Sequence, residues 1–135
     1  MFADIDHKHP EVREDLFHWV QWLSSQLKLG GLRLDAIKHY SASFVRDLLL
    51  HIDASVDQNW FIVGEYWKGD SEVLSQYIEY MNNRISLFDV TLLYNFSRIS
   101  LKEKSDLRTV LKGSLALLKP QNAVVGIPLY RCLNE

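Results

Sequence analysis

Gly31-Leu32-Arg33-Leu34-Asp35-Ala36-Ile37-Lys38-His39, followed by Val63-Gly64-Glu65-Tyr66-Trp67, is the pair of stretches that decides the fold of this chain. Each reads as a short buried strand that ends on a carboxylate, with helical sequence between them. In a parallel α/β sheet the C-terminal ends of the strands gather at one face. Asp35 and Glu65 are therefore expected to meet in space although they lie far apart in sequence.

Working outward, Val12, Leu16, Trp19, Val20, Leu23 and Leu27 recur at helical spacing between Pro10 and Leu29, and Pro10 suits a first helical turn. Glu11, Glu14 and Asp15 complement the positive helix N-terminus. The Gly30-Gly31 pair is expected to stop this helix as a left-handed cap. Ser41 is expected to cap a second helix carrying Phe44, Val45, Leu48, Ile52 and Val56, after which Trp60 to Val63 forms a second strand. Asp70 caps a third helix with Val73, Leu74, Tyr77, Ile78 and Met81. Ser86 to Val90 is a weaker strand, and Thr91 to Ser100 a short irregular helix. Ser105 opens a last helix with Leu107, Val110, Leu111, Leu115 and Leu118 on one face, broken at Lys119-Pro120. Asn122 to Leu129 is a fourth strand.

Strands recurring once per βα unit imply a parallel sheet with right-handed crossovers. Two closures fit: a doubly wound open sheet, or part of a (β/α)8 barrel. A whole barrel needs at least about 200 residues, and this sequence has 135, so the barrel alternative is about half of one. Half a barrel leaves open strand edges and uncovered apolar faces, which predicts low stability for the chain alone. A nucleotide-binding sheet is disfavoured because no Gly-rich phosphate loop follows a strand.

Composition excludes several classes of function. A hydrophobic share of 47% with 24% charged residues belongs to a globular domain rather than a disordered one. With a net charge of −2 and no Lys/Arg run, no nucleic-acid partner is expected. No apolar run approaches the roughly 18 residues of a membrane span, so no membrane partner is expected either. Cys132 is the single cysteine and has no internal disulfide partner. The acidic start Met1 to Asp6 lacks the pattern of a signal peptide, which favours a cytoplasmic location unless the natural N-terminus lies further upstream.

On the first strand Arg33 and Asp35 share one face. A neighbouring Arg favours the charged form of a carboxylate and fixes its orientation, as a carboxylate nucleophile requires, although a plain ion pair at a strand end would look the same. Glu65 lies between Phe61-Ile62-Val63 and Tyr66-Trp67. Apolar walls disfavour its charged form and suit a general acid. One charged and one protonated carboxylate about 5 to 5.5 Å apart are what a retaining glycosidase uses. Trp67 is a candidate for stacking on a sugar ring, or equally a packing residue. His7, His9, His18 and His51 show no metal-ligand spacing and read as surface or packing residues.

The motif Gly-x-Arg-x-Asp-Ala-x-Lys-His at Gly31 to His39, with Glu65 ending the next strand, resembles the α-amylase superfamily of (β/α)8-barrel glycoside hydrolases. The resemblance covers residues 3 to 124. It implies that Asp35 is the nucleophile forming a β-glucosyl enzyme, Glu65 the acid/base, and Arg33 the residue that positions Asp35. Lys38 and His39 match residues that contact glucose on the leaving-group side. The Lys-His pair resembles that of α-amylases and the Glu-Tyr-Trp run that of liquefying bacterial and intracellular fungal enzymes; together they imply endo-acting hydrolysis of α-1,4-glucan in starch- or glycogen-type polysaccharide. Branch-making or transglycosylating relatives are the nearest alternative within the superfamily; outside catalysis, an inactive remnant that binds glucan or a partner chain is another. The resemblance also implies calcium. Asp4-Ile5-Asp6 matches an acidic run at the family's calcium site, to which a backbone carbonyl at the position of His39 contributes, with further ligands from segments this sequence does not contain. Without the resemblance, Asp4 and Asp6 are simply an acidic loop.

Two expected motifs are missing from the 135 residues. The family's Asp-x-x-x-Asn-His segment would precede Met1. Its Phe-Val-x-Asn-His-Asp segment, which carries the third catalytic carboxylate, would follow Asn122-Ala123-Val124, where the chain instead runs Val125-Gly126-Ile127-Pro128-Leu129. Residues 1–135 are thus expected to form one partial catalytic domain whose sequence departs from the family after about residue 124, as a truncated or misassembled reading frame would produce.

Overall fold

The computed structural model describes residues 5–102 and 104–126. The chain divides at Glu65/Tyr66 into two compact units. The first contains helix α1 (Pro10–Gln26), strand β1 (Gly31–Leu34), a 3-10 turn (Ile37–His39), helix α2 (Ala42–Ser55) and strand β2 (Phe61–Gly64). β1 and β2 run parallel, with Gly31 opposite Phe61 and Leu34 opposite Gly64.

Pro10 occupies the first turn of α1 as expected, with Glu11 beside it. The Gly30-Gly31 pair does not cap this helix. Leu27, in extended conformation, closes the last turn by donating its N–H to Leu23 O at 3.0 Å. Gly31 belongs to β1, where a Cβ would overlap the carbonyl of Phe61. Close approach of two strands, not helix termination, is what requires glycine there. The apolar stripe of α1 is also less buried than its spacing predicts. Val20 is buried, but Trp19 is 52% exposed and Leu27 lies beyond the helix end. Most of the core of this unit comes from α2, through Phe44, Val45, Leu48, Leu49 and Ile52, together with Ile37, Trp60, Ile62 and Val63. Ser41 stands at the N-cap position of α2, yet its hydroxyl pairs with Ser43 Oγ at 2.8 Å instead of a helix N–H.

Two histidines pack as expected. His7 lies against Phe44, with ring centroids 4.7 Å apart, and His51 stacks on Phe17 at 4.8 Å. Arg13 faces Phe17 and Phe44 and pairs with Asp47, which ties α1 to α2.

The second unit contains helix α3 (Ser71–Tyr80), strand β3 (Ser86–Phe88), helix α4 (Val90–Ser100), a 3-10 turn (Leu107–Thr109), the short helix α5 (Leu115–Leu118) and strand β4 (Ala123–Val124). β3 and β4 are parallel, with Leu87 opposite Ala123. Asp70 caps α3 by accepting from the N–H groups of Glu72 and Val73. Asn82 and Asn83, at φ 54° and 58°, turn the chain toward β3 in the left-handed conformation asparagine tolerates. Leu74, Ile78, Met81, Ile85, Leu87, Val90, Leu92 and Leu115 are buried.

Two expectations need correction here. Thr91 to Ser100 belongs to a regular helix, because Asp89 ends β3 early and caps α4 by accepting from Leu92 N–H at 2.9 Å. The last helix, predicted from Ser105 to Leu118, is instead two short pieces. Gly113 sits between them at φ 69°, and the side chain of Asn95 donates to the carbonyls of Val110 and Lys112 at 2.7 and 3.0 Å, taking acceptors a continuous helix would use. Among the described residues of the predicted fourth strand, Ala123 and Val124 are strand. Its portion from residue 127 onward, like Asp4 and Cys132, lies outside the described residues.

Candidate active site

The register of β1 and β2 builds the site. Leu34 and Gly64 are paired and each ends its strand, so the next residues, Asp35 and Glu65, emerge side by side. Arg33, two residues before Asp35, extends from the same strand. Its Nη2 donates to Asp35 Oδ1 at 3.0 Å and to Glu65 Oε2 at 2.9 Å. Arg33 thus bridges both carboxylates, where its expected role was to hold Asp35 alone. Because both oxygens lie within 3.0 Å of one nitrogen, they are less than about 6 Å apart.

The two carboxylates sit in different surroundings. The side chain of Asp35 is 68% exposed and that of Glu65 23%. Burial pushes the Glu65 carboxyl above the ordinary carboxylate range, and the adjacent Asp35 carboxyl pushes it further, by hydrogen bonding and by charge. The Arg33 guanidinium and the Ala36 N–H act in the opposite direction. The Glu65 carboxyl therefore gives up its proton less readily than an ordinary carboxyl, and Asp35 is the more exposed of the two.

Lys38 and His39 lie on the 3-10 turn that follows Asp35, and both are exposed. Ile37 anchors that turn: its side chain is fully buried and its N–H donates to Glu65 O at 3.0 Å. Trp67 belongs to the second unit, where it is half-buried. Beside it, Tyr66 tilts against Tyr77 with ring centroids 4.9 Å apart. The first unit therefore brings together Arg33, Asp35 and Glu65 and places Lys38 and His39 on the adjoining turn. What inspection of residue types missed is the backbone of Ala36 and Ile37, because an alanine carries no signal of a left-handed turn.

Of the residues implied for calcium, Asp6 and His39 are described and Asp4 is not. Calcium takes six to eight oxygens, and Asp6 with the carbonyl of His39 supplies too few. Asp6 Oδ1 accepts the N–H of Lys8 at 2.9 Å, closing a local turn. Among the described residues, no group of three or more His, Cys, Asp or Glu side chains could hold a metal ion. Among the same residues, no helix is long and apolar enough to cross a membrane.

Fold and site together define an α/β chain that presents an Arg-bridged carboxylate pair at the C-terminal ends of adjacent parallel strands. The sequence profile described as alpha amylase, catalytic domain, matches residues 1–124. The chain belongs to the α-amylase catalytic-domain family. It is 38% identical over 128 residues to the glucan 1,4-alpha-maltohexaosidase of Bacillus sp. (strain 707), covering 94% of this chain and 25% of that protein. Identity and coverage are the same for the α-amylase of Bacillus licheniformis. The cytoplasmic α-amylase of Escherichia coli (strain K12) is 31% identical, covering 92% of this chain and 25% of its own length. Among solved structures, an Anoxybacillus α-amylase superposes with a TM-score of 0.66 at 26% identity, over 73% of this chain and 21% of that one. The α-amylase of Geobacillus thermoleovorans, solved with acarbose, has the same fold, with a TM-score of 0.68 at 23% identity over 79% of this chain and 23% of that one. The fold is accordingly part of a (β/α)8 barrel, and the chain spans about a quarter of the length of the curated relatives it matches.

Proposed function

We propose that this chain carries the nucleophile and the acid/base of a retaining α-1,4-glucan hydrolase acting on starch- or glycogen-type polysaccharide. Asp35 attacks the anomeric carbon of the sugar while Glu65 protonates the departing glycosidic oxygen. Glu65 then takes a proton from the water that releases the covalent glycosyl-enzyme. Arg33 keeps the two carboxylates in register, and Lys38, His39 and Trp67 contact the glucan. The observation that carries this is the bridge from one Arg33 nitrogen to both carboxylates. It holds their oxygens less than about 6 Å apart, shorter than the roughly 6.5 to 9.5 Å separation used by inverting enzymes. The names of the relatives support the substrate class.

A trapping experiment tests the assignment. The 135-residue chain is incubated with an activated fluoro-maltosyl donor, and the labelled residue is identified by peptide mass mapping. Label is expected on Asp35 and absent from Asp35→Asn. It should persist in Glu65→Gln, because an activated leaving group needs no acid. Label on another residue, or none, would sink the proposal. Glucan binding that survives both substitutions, with no label at all, would instead show a non-catalytic binder. Transfer of the trapped sugar to a glucan acceptor in preference to water would show a transglycosylating relative.

A further inference from the structure

We infer that Ala36 is a positioning residue whose left-handed backbone inserts one extra residue opposite Glu65 and thereby clasps the acid/base. This inference rests on the proposed assignment of Glu65. In a regular parallel ladder a residue donates its N–H to the residue before its partner and accepts at its C=O from the residue after it. Lower in the pair the ladder is regular: Phe61, opposite Gly31, donates to Gly30 O at 2.9 Å. Glu65, opposite Asp35, likewise donates to Leu34 O at 2.8 Å. Its carbonyl should then accept from Ala36, but accepts from Ile37 at 3.0 Å.

One residue has been inserted, and Ala36, at φ 48° and ψ 36°, is where the backbone absorbs it. Such bulges recur beside active sites, where they re-aim a side chain. Here the bulge frees the Ala36 N–H from the ladder and turns it to the Glu65 carboxylate, which it draws downward in pKa. Glu65 is then held at its N–H, its C=O and its carboxylate by the main-chain groups of Leu34, Ile37 and Ala36. Ile37, with no exposed surface, pins the far end of the clasp. Left-handed backbone is uncommon outside Gly, Asn and Asp, so alanine here is held in place by the surrounding bonds.

The test reads the clasp without turnover, so it fails independently of the trapping experiment. Amide exchange of Ile37 and Glu65 and the carboxyl titration of Glu65, by carbon-13 NMR, are compared in Ala36→Gly, Ala36→Asn and Ala36→Val. Glycine and asparagine accept the left-handed turn and should keep Ile37 protected. The β-branched valine should expose Ile37 by about tenfold or more in exchange rate and raise the titration of Glu65, while amides of α2 such as Leu48 and Ile52 stay protected. Protection of Ile37 in the valine variant equal to wild type would overturn the inference, and so would its loss in the glycine or asparagine variant. If valine unfolds the chain altogether, the glycine and asparagine results decide.

Discussion

Gly31→Ala tests how the two strand ends are brought together. A Cβ at this position falls on the backbone carbonyl of Phe61, an atom that cannot swing aside as a side chain end would. β1 and β2 must therefore separate at their N-terminal end. The bond from Phe61 N–H to Gly30 O, now 2.9 Å, lengthens first, and the pairing up to Leu34 and Gly64 is strained with it. Each ladder bond broken with its partner left unsatisfied costs about 1–3 kcal/mol, so one to two bonds amount to about 1–6 kcal/mol. That is a large share of the roughly 5–15 kcal/mol that holds a typical domain together. Urea denaturation followed by circular dichroism should show the midpoint falling by about 1 M or more, given a slope of about 1–3 kcal/mol/M. Gly30→Ala is the control, because nothing lies within 4 Å of a Cβ built there and its φ is not positive. It should stay within about 0.5 kcal/mol of wild type. Equal midpoints for wild type and Gly31→Ala, with slopes unchanged, would refute the close approach of the strands.

Further outcomes follow from the same geometry. Glu65 is raised above its ordinary value of 4.5 chiefly by burial, so the folded chain binds that proton more tightly than the unfolded one; its contribution to stability is fully present below 4.5 and fades as pH rises through the raised value. The stability of Glu65→Gln relative to wild type should therefore improve as pH rises through that window, and a difference flat with pH in urea melts would contradict it. Arg33→Met removes a cation that lowers Glu65, so the carboxyl titration of Glu65 should move up by NMR; an unmoved titration would show that the bridge has no electrostatic effect. Asp89 is 5% exposed and accepts from both Leu92 and Ala116 N–H groups, so Asp89→Ala should cost about 2–4 kcal/mol in chemical denaturation. Asp70→Ala, which removes only the exposed cap of α3, should cost about 1 kcal/mol, and equal losses for the two variants would mean that burial of the Asp89 cap adds nothing.

Where one residue type has one physical use, the fold was legible in the chain. Pro10 starts α1 and Asp70 caps α3, because a fixed φ and a short acceptor side chain suit few other positions. The apolar runs before Asp35 and Glu65 are parallel strands. Legibility failed where one residue type has two uses. Gly31 was expected to end a helix and instead admits a neighbouring carbonyl, and both uses follow from the missing Cβ. The leucines from 107 to 118 keep helical spacing, but spacing does not show that Asn95, on another helix, claims the carbonyls of Val110 and Lys112.

The candidate site divides the same way. Residue types announce charge and hydrogen-bonding capacity, so Arg33, Asp35 and Glu65 stand out as a group that chemistry could use. Their shared geometry depends on register, and the Leu34–Gly64 pairing that sets it follows from two strands of equal length beginning at Gly31 and Phe61. The bulge was hidden because its one unusual residue is an alanine, whose side chain gives no hint of the backbone it adopts. That difference bears on how the site tolerates change. A side chain such as Arg33 contributes through its terminal guanidinium atoms, which the point charge of a lysine does not reproduce. The clasp on Glu65 is made by main-chain groups of Leu34, Ala36 and Ile37, which are chemically the same in nearly every residue. Substitutions there act through the conformations they permit, so tolerance at position 36 should follow left-handed propensity and be indifferent to polarity.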